Sequence, residues 1–338
     1  MRKLAFILIS IVVSGIFLWL ALRDVPLGDM FASISQANGL LVFASFASVA
    51  LALALRGIRW QVLIDKRMSF TQCFHIFNVG MLINMLPLRA GEVARVVLAT
   101  RFGVPVFTSG ASIIVERLLD VVMVLIVLAV GLSRAPSVPE SAGRAAVLFS
   151  IVAVVGFVTL IIFARFPRLP HAIIGWLEAR IAPLKRLNLT RRVDEVLDGL
   201  RIFTHLGTAV KAVGWTLIGW AVSLFTFWSL LIAFNVPTLV PDADMVSLTC
   251  MGLALASLGV ALPVTVAGIG PFQGAARVAG ELVGVPAAVS AAIGVVFHGV
   301  TFVSYGLWGV IGLLALGVNL GDVMRAQPAA EASSAQPG

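Results

Sequence analysis

Charge is what this chain has least of: Lys, Arg, Asp and Glu make up 12% of its 338 residues, about half the share usual in a soluble globular protein. A soluble enzyme with a solvated surface is therefore excluded. Cysteine is scarce as well, with Cys73 and Cys250 each alone in an apolar stretch. That pattern indicates neither a disulfide framework nor a Cys-rich metal site. The histidines at 75, 171, 205 and 298 make no metal-ligand spacing, and no G-x(4)-G-K-[ST] loop is present to hold a nucleotide. No metal and no cofactor are expected. What abounds is apolar: 60% hydrophobic residues and a mean hydropathy of +1.05 read as an all-α polytopic membrane protein. The net charge of +8 comes from basic residues lying between apolar runs, which fits the positive-inside rule and argues against nucleic acid as a partner.

Taken in order, residues 4–22 behind Arg2 and Lys3 are too long for a signal-peptide core and read as a retained first span. Residues 23–38 read as a short mixed loop with Asp24 and Asp29, and 39–55 as a second span ending in RGIRW. There Trp60 reads as an interfacial anchor, while Arg56 and Arg59 are either snorkelling anchors or groups that reach a lipid phosphate. Residues 70–102 are interrupted at Pro87 and Gly91 and are too short and charged to cross twice, so they read as a re-entrant helical hairpin whose tip lines a cavity. Spans follow at 111–132 and 145–166, then a basic segment at 167–208 with apolar residues at helical spacing, expected to lie on anionic inner-leaflet lipid. A span at 213–234, a second hairpin at 245–283 broken near Pro263, Gly268 and Gly270, and a span at 287–316 complete the set. Residues 322–338 read as a disordered tail.

Within this apolar frame Arg89, Glu92, Arg95, Glu116, Arg117 and Asp120 stand out. At roughly 2.5 to 3.5 kcal/mol each, six unpaired charges at mid-membrane would exceed the ~5 to 15 kcal/mol of a typical domain. They are expected to be paired, wet, or both. The two trios have helical spacing, each on one side of a helix, and Pro87 with Gly91 opens a helix N-terminus that attracts anions. The plainer account makes them structural ion pairs or membrane-surface residues. The functional one makes them a lipid site, together with Arg56, Arg59, Asn84, Gln273, Arg277 and His298.

Shifting the chain by 181 residues aligns Gly103-Val104-Pro105 with Gly284-Val285-Pro286 and gives nine identities in thirty columns, against roughly one in ten expected by chance. With both broken segments as hairpins and the amino terminus inside, 17 of the 24 Lys and Arg fall on the inner side. Both termini are then cytoplasmic. The expected fold is six full spans plus two re-entrant hairpins as inverted repeats, 1–132 and 145–320, an architecture suited to alternating access around a midplane site.

The motifs P-x-R-x-G-E-x-x-R at Pro87 to Arg95, E-R-x-x-D at Glu116 to Asp120, R-x-x-R-W at Arg56 to Trp60 and P-x(4)-G-x-G at Pro263 to Gly270, in this order, resemble the lysylphosphatidylglycerol synthase transmembrane family. That family is the flippase-like membrane half of multiple peptide resistance factors and also occurs as stand-alone proteins. The resemblance implies movement of a membrane phospholipid or another polar envelope lipid between leaflets of a prokaryotic cytoplasmic membrane. It does not imply synthase activity, because the soluble aminoacyl-transferring domain has no room here. Gln273 and His298 depart from an acid and an arginine found in many relatives. Two other classes compete: a membrane-embedded transferase or hydrolase using Glu92 or Asp120 as base or metal ligand, and a non-transporting accessory subunit of envelope lipid synthesis.

Overall fold

The computed structural model describes residues 2–86, 90–135, 137–180, 205–261 and 265–323. Among these the chain is helical, with no strand. Besides one turn at Val236–Leu239, twelve helices among the described residues carry the fold: α1 Arg2–Leu22, α2 Leu27–Gln36, α3 Gly39–Leu63, α4 Phe70–Asn84, α5 Gly91–Thr100, α6 Val106–Arg134, α7 Glu140–Arg165, α8 Arg168–Arg180, α9 Leu206–Ala233, α10 Met245–Ala261, α11 Pro271–Glu281 and α12 Ala287–Leu316. Their ends follow local chemistry. Asn38 accepts the Leu40 and Leu41 amides at the start of α3, Ser69 and Gln72 form a capping box on α4, and prolines 105 and 286 precede α6 and α12.

Gly39–Leu63, Gly143–Arg165, Leu206–Ala233 and Ala287–Leu316 are long and apolar enough to cross a membrane. Residues 6–22 and α2, bent by 85°, make up to a fifth span. At 29 residues α6 is long enough, but Glu116, Arg117 and Asp120 interrupt its apolar run. The expected loop at 23–38 is instead largely helix: Met30 and Ile34 fall one turn apart and turn α2 toward the core. The span expected to end at Leu55 continues as helix to Leu63, which carries Arg59 and Trp60 into the interior; both are buried, and Trp60 is not an interfacial anchor. The expected basic surface segment is described only through Arg180 and from residue 205; Pro87, Arg89, Pro263 and residues 324–338 also lie outside the described residues.

Packing follows a pattern. Helix α3 packs on α9, α4 on α12, α10 on α6, α4 on α5, α10 on α11, α5 on α6 and α11 on α12. Exchanging α3–α6 for α9–α12 returns the same pairs. The 181-residue offset recurs in the backbone: Gly103 and Gly284 have φ of +79° and +83°, and the Val104 and Val285 amides donate to the carbonyls of Ala99 and Gly280. In contrast α7 is peripheral, with only 6% of its apolar window buried.

Candidate functional site

Helix α6 presents Glu116 and Asp120 one turn apart, and arginines from α3 and α5 reach them. Arg95 binds both Glu116 oxygens at 3.1 and 2.9 Å, while Arg59 and Arg117 each stand 3.4 Å away. Arg59 binds both Asp120 oxygens at 2.8 and 3.1 Å and also meets Thr216 Oγ1. These are fork-to-fork geometries, the strongest form of the pair. Glu116 is 0% exposed, and Arg59 and Arg95 are each 2% exposed. Burial this deep carries a large desolvation cost, which is tolerable only because each oxygen of Glu116 is engaged.

The arginine from α5 is further fixed by two rings. Its guanidinium carbon lies 4.5 Å from the Trp60 centroid and 4.6 Å from that of Phe77. The Trp60 indole N–H in turn donates to Ser112 Oγ at 2.9 Å. Such closeness between α4 and α5 needs glycine: a Cβ on Gly91 would stand 2.0 Å from the Gly80 carbonyl oxygen. At the same break Asn84 Oδ1 accepts the Gly91 amide at 2.8 Å, satisfying a helix-start donor.

The second break is finished differently. Gly270, at φ +93°, donates its amide to Gln273 Oε1 at 2.8 Å, Gln273 Nε2 meets His298 Nδ1 at 3.0 Å, and His298 Nε2 meets the Ala267 carbonyl at 3.1 Å. Glu92 and Arg117, one offset of 181 residues earlier, stand 3.6 Å apart.

Both breaks open on one cavity of about 340 Å³. Asn84 and Met85 border it from the first break, Thr265, Ala267 and Gly268 from the second, and Arg56, Glu116, Arg117, Asp120 and His298 give it its polar wall. Of the expected residues, Arg59, Glu92, Arg95 and Gln273 lie behind this wall, bonded to residues that form it. Arg277 is not brought there. It binds the Ala21 carbonyl and Glu281, lashing α11 to α1. Sequence reasoning missed the contribution of α9, where Trp220 Nε1 donates to Asp120 and Ser223 accepts from Arg56. The signal was present: Thr216, Trp220, Ser223 and Thr226 recur along one helical face.

Apolar helices long enough to cross a membrane, buried charge and a shared hollow define a membrane protein of the all-α class. The chain belongs to the family described as the lysylphosphatidylglycerol synthase TM region, whose profile matches residues 7–309. Membership ties it to membrane lipids. Among curated proteins and among solved structures, none matches the chain significantly.

Proposed function

We propose that this protein moves a polar-head-group lipid between the leaflets of a cytoplasmic membrane, acting as a flippase or lipid transporter rather than an enzyme. The observation that carries the reading is the cavity itself, bordered by both helix breaks and walled by ionisable side chains. Intramembrane charge is expensive and marks transport paths. Around the cavity Arg56, Arg59, Arg95 and Arg117 outnumber Glu92, Glu116 and Asp120 by one, so the excess favours a phosphate-bearing head group. In this scheme Arg56 and Arg117 meet the lipid, Arg59 and Arg95 hold the acids in place, and Asn84, Gln273 and His298 shape the two tips. Arg89, beside the first break in sequence, belongs to the same proposed set.

The proposed architecture is six spans with α4–α5 and α10–α11 as re-entrant hairpins, in two inverted repeats with both termini cytoplasmic. Its support is the exchangeable packing pattern and the matching Gly103 and Gly284 turns. Rocking one repeat against the other would then open the cavity to alternate sides. Transport requires a leaflet-resolved lipid assay in proteoliposomes with Arg117→Ala and Arg56→Ala beside the wild type. Each variant is expected to lower lipid movement by about tenfold, the worth of a charge-assisted hydrogen bond. Unchanged movement in both would remove the site assignment, and a chemically altered lipid would establish the membrane-embedded transferase or hydrolase instead.

A further inference from the structure

The hydrogen bonds at the second break can be read in one direction only. A backbone amide cannot accept, so Gly270 N–H fixes Gln273 with Oε1 toward it and Nε2 toward His298. A carbonyl cannot donate, so the imidazole proton lies on Nε2, facing Ala267. His298 Nδ1 must then accept from the Gln273 amide, and the imidazole is neutral. The chain of bonds starts and ends on the same four residues, 267–270, and closes them into a ring. Those residues need holding: Ala267 has φ +53°, a left-handed conformation that L residues with a Cβ rarely adopt, and Gly268 and Gly270 are also at positive φ. Phe272 stacks on the imidazole at 4.8 Å and 11°, which keeps the ring plane fixed.

We propose that His298 is a proton-operated latch on this break, closed when neutral and opened by a proton taken from the wet cavity onto Nδ1. Protonated, Nδ1–H faces the Gln273 amide donor. The side-chain amide must turn over so that Oε1 accepts from His298, and Gly270 N–H is left facing a donor. One bond of the ring is lost, loop 267–270 loosens where it borders the cavity, and the polar wall gains a positive charge. The ionisable groups that share the cavity are Arg56 of α3, Glu116, Arg117 and Asp120 of α6, and Tyr305 of α12. Neighbouring helices carry others outside its lining: Arg277 and Glu281 of α11, which pair with each other, Asp29 of α2, His75 of α4 and Lys211 of α9. The carboxylates of α6 are held by arginines, which leaves His298 as the cavity side chain of a type that can take up a proton near neutral pH. The proposed lipid movement would thereby be coupled to pH through one residue of the second half.

The test is amide hydrogen exchange of the purified protein in lipid nanodiscs at pH 8 and 5.5, corrected for intrinsic exchange. In the wild type, exchange across residues 267–272 should rise about fivefold at the lower pH, as expected for one lost hydrogen bond. His298→Asn should not respond to pH, and Gln273→Glu, which offers an acceptor to protonated Nδ1, should stay closed at pH 5.5. No rise in the wild type, or the same rise in a folded variant, would overturn the latch. A parallel pH profile of lipid movement tests the coupling. Because exchange is measured without transport, absence of any lipid movement would sink the proposed function while leaving the latch to be decided on its own.

Discussion

Residues related by the 181-residue offset make different bonds in the two halves: Glu92 meets Arg117 at 3.6 Å, whereas Gln273 meets His298 at 3.0 Å. The difference extends behind each pair. Arg117 is backed by Glu116, itself gripped by two further arginines, while position 297 opposite it is Phe297, packed edge-on against Phe227 and Phe272. One half therefore fixes its break with permanent charge, and the other with a neutral bond inside an aromatic cluster. Under the proposed function the permanent charge would give a fixed field for a head group, and the proposed latch would give a break that a proton can release.

The contrast breaks most visibly at the buried acid. Glu116→Ala leaves Arg59 and Arg95 without their shared carboxylate and should cost about 3 to 5 kcal/mol; Gln273→Ala should cost about 1. Thermal unfolding in detergent compares them, and equal losses would erase the distinction. Backbone fit gives the next largest effect. Gly91→Ala drives a Cβ into the Gly80 carbonyl and the Asn84 side chain, whereas Gly280→Ala meets the Ser290 hydroxyl, which can rotate away, and the Ser290 Cβ at 2.7 Å. The first should lose about 1 to 3 kcal/mol and the second less, again read as a change in unfolding midpoint.

Exchanging chemistry between halves sharpens the comparison further. Glu92→Gln with Arg117→His removes a partly exposed pair and one of the three arginines around Glu116, so it should cost less stability than Glu116→Ala, but it should make lipid movement depend on pH at the first break as well. A profile identical to the wild type would show that the offset positions are not functional equivalents. The smallest effect belongs to Arg134 and Asp244, which join the end of α6 to the start of α10 at 2.8 Å. Partial burial pushes the Asp244 carboxyl up, but the Arg134 guanidinium and the Ser247 amide outweigh it and hold it below its ordinary value. A depressed carboxylate stabilises above its unfolded value and loses that as pH falls through the folded one. Asp244→Asn should therefore lower the unfolding midpoint slightly at pH 7, and the difference should shrink as pH falls below the ordinary carboxylate range.

Much of the site was legible from residue types. Arg95, Glu116, Arg117 and Asp120 stood out because the surrounding chain is apolar, and Gly91 and Gly270 marked breaks that do border one hollow. Partnership was not legible. Arg95 and Glu116 are 21 residues apart, and their meeting depends on how closely α4 and α5 cross at Gly80 and Gly91, which spacing within a single helix cannot reveal. Trp60 resembled an interfacial anchor, and Arg59 either an anchor or a group reaching a lipid phosphate, because arginine beside tryptophan is common at interfaces; a bidentate acid on α6 and a hydroxyl at Ser112 draw them inward instead. The turn of α2 escaped notice because ten residues give the apolar period too few repeats to stand clear of a loop.

Where α3 runs beside α9, Ser45 touches Ser229 and Ser48 touches Thr226, both at 2.8 Å. Each of these four hydroxyls also has an acceptor on its own helix: Leu41, Ser45, Val222 and Thr226 supply the carbonyls. No hydroxyl of the seam therefore depends on the opposite helix for an acceptor, so parting the two rods would strand none of these four protons in hydrocarbon.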